Sequence, residues 1–224
     1  GKMERQAFLD AIGSADAIVI RSGVKADAEL LEKATNLKAI ARAGVGVDNV
    51  DLEKATEKGI VVMNTPGGNT ISTAEHTFGL MIALSRHIPQ GHQSMQEGRW
   101  DRKKFVGVEL KGKTLGLVGL GRIGQAVAKR AQAFEMDVVA YDPYLPPEVA
   151  KSINVELVEL DDLYARSDYI SLHALVSDET TEMINSESIA KMKKGVRIIN
   201  AARGALINAD DLTIALNIGQ VAGA

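Results

Sequence analysis

The sequence predicts an α/β protein built from parallel βαβ units, and three observations carry that expectation. Short β-rich runs alternate with amphipathic helical runs almost from end to end, the pattern of strands joined by crossover helices. A glycine-rich turn, GLGRIG at 119–124, leads from one such run into a helix. A chain of 224 residues with 46% hydrophobic content has enough apolar surface for one full core, or for one core plus a smaller companion domain.

Taken in order, a helix-like run opens the chain and the first strand is expected at Ala17 to Arg21. Strands follow at Leu37 to Arg42, Ile60 to Asn64, Thr114 to Val118, Asp137 to Tyr141, Tyr169 to His173 and Val196 to Asn200, with another starting at Val221. Between them lie helices such as Asp27 to Ala34 and Asp51 to Lys58, each opened by an aspartate suited to cap the first turn. The segment from Thr70 to about Trp100 reads as one long helical element. Phe78 and the run Leu80 to Leu84 are apolar nearly all round, so burial on several sides is expected, as at a hinge or a subunit contact. The boundaries expected are residues 1–66 for a first, incomplete block, with a further strand expected upstream, and 67–224 for a second that includes the long helix near 70–90.

Composition excludes several function classes. The net charge is −3, with lysines and arginines scattered among acids, so no basic field exists for nucleic acid. There is no cysteine, which removes disulfides and thiolate metal sites and fits a cytoplasmic setting. The four histidines, His76, His87, His92 and His173, show no paired-ligand spacing, so no metal is expected. The longest apolar run, Gly79 to Leu84, is far short of the roughly 20 residues that span a bilayer.

The turn at 119–124 carries the chemistry. Gly119, Gly121 and Gly124 follow a β-type run and open a helix whose apolar face includes Ile123, Val127 and Ala131. In a dinucleotide site the first glycine makes the tight turn, the second lets backbone approach a pyrophosphate, and the third lets helix pack close to strand. The helix N-terminus then offers unpaired N–H groups to phosphate. Asp142 closes the next strand 18 residues after Gly124, placed to accept both adenosine ribose hydroxyls. A 2′-phosphate there would meet its negative charge, and no arginine follows in DPYLPP, so the cofactor expected is NAD and not NADP. A second glycine stretch, AGVGVDNVD, lacks a third glycine and reads as a backbone-amide anion site or a plain turn.

Three stretches, RAGVGVDNVDLEKATEKGIVVMNTPGGNTISTAEH, GKTLGLVGLGRIGQAVAKRAQAF with VVAYDP, and MKKGVRIINAARGALINADDL, together make the chain resemble the D-2-hydroxyacid dehydrogenases over essentially its whole length. The resemblance implies two Rossmann-like domains, the substrate domain being built from both chain ends around an inserted NAD domain. It makes Arg203 the catalytic arginine holding the carboxylate and carbonyl of a 2-oxo acid. It gives the amides of Val45 and Gly46 to the substrate carboxylate with Asn69 beside it, and places Arg21, Ser22 and Lys25 where a substrate phosphate is met. Arg122 and Ile123 would contact the pyrophosphate by their amides and Thr180 by its hydroxyl, while His173, Ala174 and Ala201 would line the cofactor cleft. The sequence departs from the family at SLHALVSDETT, where Ala174 and Leu175 replace the usual Thr-Pro pair and remove a side-chain bond.

The family's proton-transferring histidine and its glutamate come after the strand that begins here at Val221, so the expectation is either part of a longer enzyme or a short form that binds NAD and turns over poorly. The activity implied is NAD-dependent oxidation of D-3-phosphoglycerate to 3-phosphohydroxypyruvate, at the entry to serine biosynthesis, by a homodimer or homotetramer. The alternatives are a glyoxylate or hydroxypyruvate reductase of the same family and a non-catalytic NAD-binding module; a purely structural α/β scaffold is the plainest reading.

Overall fold

The computed structural model describes residues 4–224 and divides into two compact units between Asn69 and Thr70. Both are α/β with parallel sheets, as the alternation of patterns predicts.

The first unit opens with helix α1 (Arg5–Ala11) and a single 3₁₀ turn. Three strands follow, β1 (Ala17–Ile20), β2 (Ala39–Arg42) and β3 (Val61–Asn64), paired in that order, all parallel, with Ile20, Arg42 and Asn64 in register at the C-terminal edge. The crossovers are α2 (Ala28–Lys33) and α3 (Leu52–Glu57). Asp27 and Asp51 cap them as expected, accepting the N–H groups of Leu30 at 3.2 Å and Lys54 at 2.9 Å. Alternation sends Ile18, Ile20 and Ile40 to one face, where they pack with Leu9, Leu30 and Leu31. The opposite face is bare: Val19, Val61 and Met63 are 78%, 58% and 49% exposed, although parallel sheets are ordinarily covered on both sides.

The second unit begins with α4 (Thr70–Arg86) and α5 (Ile88–Gln96). The expectation of one long element is corrected here. His87 takes a left-handed conformation (φ 52°) and a new helix starts with Pro89 in its first turn. Proline has no N–H to give and its ring excludes the carbonyl four residues back; that carbonyl, of Ser85, instead accepts from the N–H of Val108 at 3.0 Å. Nor is α4 buried all round within the chain. Ala74, Phe78, Met81 and Ser85 form the buried stripe, while Ile71 and Leu80 are 55% and 39% exposed.

The rest of the unit is a six-stranded parallel sheet. Its strands are β4 (Thr114–Val118), β5 (Asp137–Tyr141), β6 (Glu156–Leu157), β7 (Tyr169–Leu172), β8 (Val196–Asn200) and β9 (Val221–Gly223), and its helices are α6 (Arg122–Ala133), α7 (Pro147–Ser152), α8 (Leu160–Arg166), α9 (Ser186–Ala190) and α10 (Ala209–Asn217). The spatial order is β6-β5-β4-β7-β8-β9, the doubly wound arrangement whose winding reverses between β4 and β7. One face packs Leu115, Leu117 and Ala140 against α4 and α6. The other packs Val139, Ile170 and Ile198 against α8, α9 and α10. Only β6 escapes the sequence pattern, because two residues are too few to show an alternation. Among the described residues no helix is long and apolar enough to cross a membrane.

Candidate functional site

In a doubly wound sheet ligands bind beyond the carboxyl ends of the strands at the point where the winding reverses. That point lies between β4 and β7, which pair directly. The turn after β4 holds Gly119 to Gly124, and the segment after β7 begins with His173, whose N–H donates to the Val118 carbonyl at 2.8 Å.

Each glycine of the turn has a different surrounding. Gly119 sits at φ 95°, and a Cβ on it would lie 2.9 Å from the carbonyl carbon and oxygen of His173. A Cβ on Gly124 would collide with the carbonyl oxygen of Gly119 and lie 3.2 Å from its carbon, so α6 starts where only glycine fits. Gly121, the N-cap of α6, has extended backbone (φ −68°, ψ −165°) and open space around its missing side chain. The first helical bond inside α6 is from Gln125 to the Gly121 carbonyl, at 2.9 Å. The N–H groups of Arg122 and Ile123 in the first turn therefore have no intrahelical acceptor.

Asp142 stands just after β5 and does more than the sequence suggested. Its Oδ2 accepts the N–H of Leu120 at 2.8 Å and its Oδ1 that of Tyr144 at 3.1 Å. One carboxylate thus shapes the glycine turn from the neighbouring strand, and each oxygen keeps a second lone pair for a hydroxyl donor.

His173 is partly buried, with Nε2 3.0 Å from Ser171 Oγ. Burial pushes its pKa down from the ordinary 6.5 to about 4, so the imidazole is neutral at pH 7. An unfolded chain would bind a proton near pH 6.5 and the folded one only near 4. The unfolded state therefore gains protons first as pH falls, and stability drops between 6.5 and 4. We expect urea unfolding to show a loss of about 2 kcal/mol between pH 7 and pH 5 that is absent in His173→Asn; equal pH slopes in the two proteins would refute this.

Thr180 is held within its own loop. Its hydroxyl donates to the Leu175 carbonyl at 2.6 Å and accepts the Ser177 N–H at 2.8 Å. Ala174 follows His173 against the glycine turn. Ala201 and Arg203 follow β8, whose end is in register with that of β7. Here Asn200, overlooked in the sequence, sets the loop: its Oδ1 accepts the Ala202 N–H at 3.0 Å and its Nδ2 donates to the Arg203 carbonyl at 2.8 Å. An asparagine closing a strand is a turn signal that would have pointed to it. Arg203 itself is exposed, with Nη1 donating to the Ala202 carbonyl at 3.0 Å.

In the first unit the expected substrate residues gather at the same kind of edge. Arg21, Ser22 and Lys25 follow β1, and Val45 and Gly46 follow β2. Asn69 lies at the end of the unit, after β3. Asn49, also overlooked, ties the first two loops together by donating from Nδ2 to the carbonyls of Arg21 at 3.1 Å and Val24 at 2.6 Å. No described backbone group accepts the N–H of Val45 or Gly46.

Residues 78–224 match the family model described as D-isomer specific 2-hydroxyacid dehydrogenase, NAD binding domain. The chain belongs to this family. Among curated relatives of these dehydrogenases, the D-3-phosphoglycerate dehydrogenase of Archaeoglobus fulgidus is 51% identical over 222 residues, covering 99% of this chain and 42% of the relative. The chain thus spans about two fifths of that relative's length. Among solved structures, a glyoxylate reductase from Paecilomyes thermophila superposes with a TM-score of 0.90 at 36% identity, covering 97% of this chain and 70% of the other. A D-lactate dehydrogenase from Aquifex aeolicus, complexed with NAD and lactic acid, gives 0.88 at 35% identity, covering 96% and 65%. The glycine turn, the free amides of α6 and the Asp142 carboxylate fit the NAD that this domain of the family binds.

Proposed function

We propose that the protein carrying this sequence oxidises D-3-phosphoglycerate to 3-phosphohydroxypyruvate with NAD, residues 1–66 supplying a substrate-binding domain and residues 67–224 the NAD-binding domain. One observation carries the reading. The 51% identity to a D-3-phosphoglycerate dehydrogenase extends over 99% of the chain, and so includes the first unit, whereas the family model starts only at residue 78.

In this reading the oxidation removes a hydride and a proton from the carbon-2 alcohol, the bound NAD supplying hydride chemistry. Arg203 holds the carboxylate and the oxygen that becomes the carbonyl, with a planar fork suited to two oxygens at once. The amides of Val45 and Gly46 receive the carboxylate, and Arg122 and Ile123 the pyrophosphate. The proton passes to the histidine expected after the last strand, set by its glutamate. Exposed Ile71 and Leu80 on α4 support assembly as a homodimer or homotetramer.

The test is initial-rate kinetics at 340 nm with D-3-phosphoglycerate, D-glycerate, glyoxylate and hydroxypyruvate. A kcat/KM highest for the D-3-phosphoglycerate couple is expected. A preference for glyoxylate or hydroxypyruvate, as in the structurally similar glyoxylate reductase, would make the protein a reductase of the same family. NADH binding with no turnover of any of them would make it a binding module.

A further inference from the structure

Strand β7 and the residue after it carry a column of polar side chains on one face, an unusual content for a buried central strand. Tyr169, Ser171 and His173 alternate with Ile170 and Leu172, and so share the face that packs against α4 and α6. Tyr169 and Ser171 are wholly buried. The foot of the column is tied down: the Tyr169 hydroxyl lies 2.8 Å from Ser85 Oγ on α4, and Ser85 gives its own proton to the Met81 carbonyl at 2.7 Å. The head of the column is the His173 imidazole. It stands over Ser171 at the carboxyl edge of the sheet, while its main chain closes on the glycine turn.

Burial decides where the proton between these two side chains lies. Ser171 Oγ is 3.0 Å from His173 Nε2, and among the described residues the serine hydroxyl has no other hydrogen-bond partner. Were the proton on Nε2, the hydroxyl would accept it, and its own O–H would be left without an acceptor in a wholly buried site, at a cost of about 1–3 kcal/mol. With the hydroxyl as donor, Nε2 is the acceptor and that cost disappears. The ring is neutral at pH 7 because burial disfavours its charged form, and a neutral imidazole that accepts at one nitrogen carries its proton on the other. Nδ1 is therefore a donor. His173 is only partly buried, and Nδ1 is not among the buried polar atoms left without a partner, so this N–H is reachable from solvent at the mouth of the turn. The next three residues, Ala174, Leu175 and Val176, have no side-chain donor to offer there.

We infer that Ser171 is a positioning residue that fixes His173 with its proton on Nδ1, and that this N–H donates to an oxygen of the bound NAD. The serine does not touch the cofactor. It acts through the ring, setting both the orientation of the imidazole and the nitrogen that bears hydrogen, much as a buried partner fixes the tautomer of a metal-binding histidine. The inference concerns the cofactor alone and holds whichever 2-hydroxy acid the protein oxidises.

Long-range proton–nitrogen correlation spectra of the histidine rings in the isotope-labelled protein at pH 7 read the tautomer directly, with His173→Asn identifying the signals of His173. Wild type is expected to show Nε2 unprotonated and Nδ1 protonated, and the Nδ1 signal is expected to move when NADH is added. Ser171→Ala is expected to release the ring into a mixture of tautomers and, in a fluorescence titration, to weaken NADH binding about twofold to tenfold, the size of one neutral hydrogen bond. Ser171→Thr keeps the hydroxyl and is expected to restore both. A proton on Nε2 in wild type overturns the inference. An Nδ1 signal that NADH leaves unmoved overturns the donation to the cofactor, and Ser171→Ala with a single tautomer and full affinity overturns the role of the serine. Should Ser171→Ala fail to fold, Ser171→Cys, a weaker donor of similar shape, decides in the same way.

Discussion

Gly121→Val is expected to leave the second unit folded and to remove NADH binding, while Gly124→Val, three residues on, is expected to damage the fold itself. The two glycines look equivalent in the motif, and their surroundings separate them. At Gly121 the backbone is in the extended region that any residue adopts, and an added Cβ would meet nothing within 4 Å. A valine there costs the apo protein little and fills the space through which a pyrophosphate reaches the amides of Arg122 and Ile123. Two charge-assisted hydrogen bonds at about 1.5 to 3 kcal/mol each correspond to at least about a hundredfold in affinity. At Gly124 a side chain runs into the Gly119 carbonyl, and forcing atoms into such a contact costs about 1–3 kcal/mol, more where the obstacle is backbone. Urea denaturation and NADH fluorescence titration of both variants check the pair. Retained NADH affinity in Gly121→Val would mean that the dinucleotide does not lie on this turn.

Asp142→Ala is expected to lose affinity and stability together. It strips the Leu120 N–H of its acceptor inside the glycine turn and the Tyr144 N–H of its own, destabilising the unit by about 2 kcal/mol. If the carboxylate also accepts the adenosine ribose hydroxyls, as proposed from the sequence, NADH binding is expected to fall by about tenfold to a hundredfold. Asp142→Asn separates the two effects. It keeps an acceptor oxygen for Leu120 but turns an NH2 group to the Tyr144 N–H, so it should lose about 1 kcal/mol, roughly half the alanine effect, while the lost charge narrows the preference for NADH over NADPH. A variant with unchanged preference would show that the carboxylate serves the turn alone.

Much of the fold was legible. Eight of the nine strands among the described residues stand where β-rich runs alternate with amphipathic ones, and α2 and α3 each start one residue after their capping aspartates. The break after α4 was legible too, in Pro89, but the continuous apolar run of Leu80 to Leu84 outweighed it. Burial of α4 was overestimated for a related reason. Composition reports how apolar a segment is all round, while packing covers only the side that meets α6 and the sheet.

What the sequence determined by itself was local: strand or helix period, the caps, and a turn of three glycines followed by an acid at fixed spacing. These depend on residues within a few positions of one another, and the spacing survives whatever the rest of the chain does. What the tertiary structure alone decided were partnerships between residues far apart along the chain. Asp142 reaches the Leu120 amide because β5 lies beside β4. Asn49 reaches the Arg21 carbonyl because a bridge at Ala26 and Val50 joins their loops. Strand order and register set those meetings, and no pattern in a single stretch of sequence encodes which donor will face which acceptor once the sheet has formed.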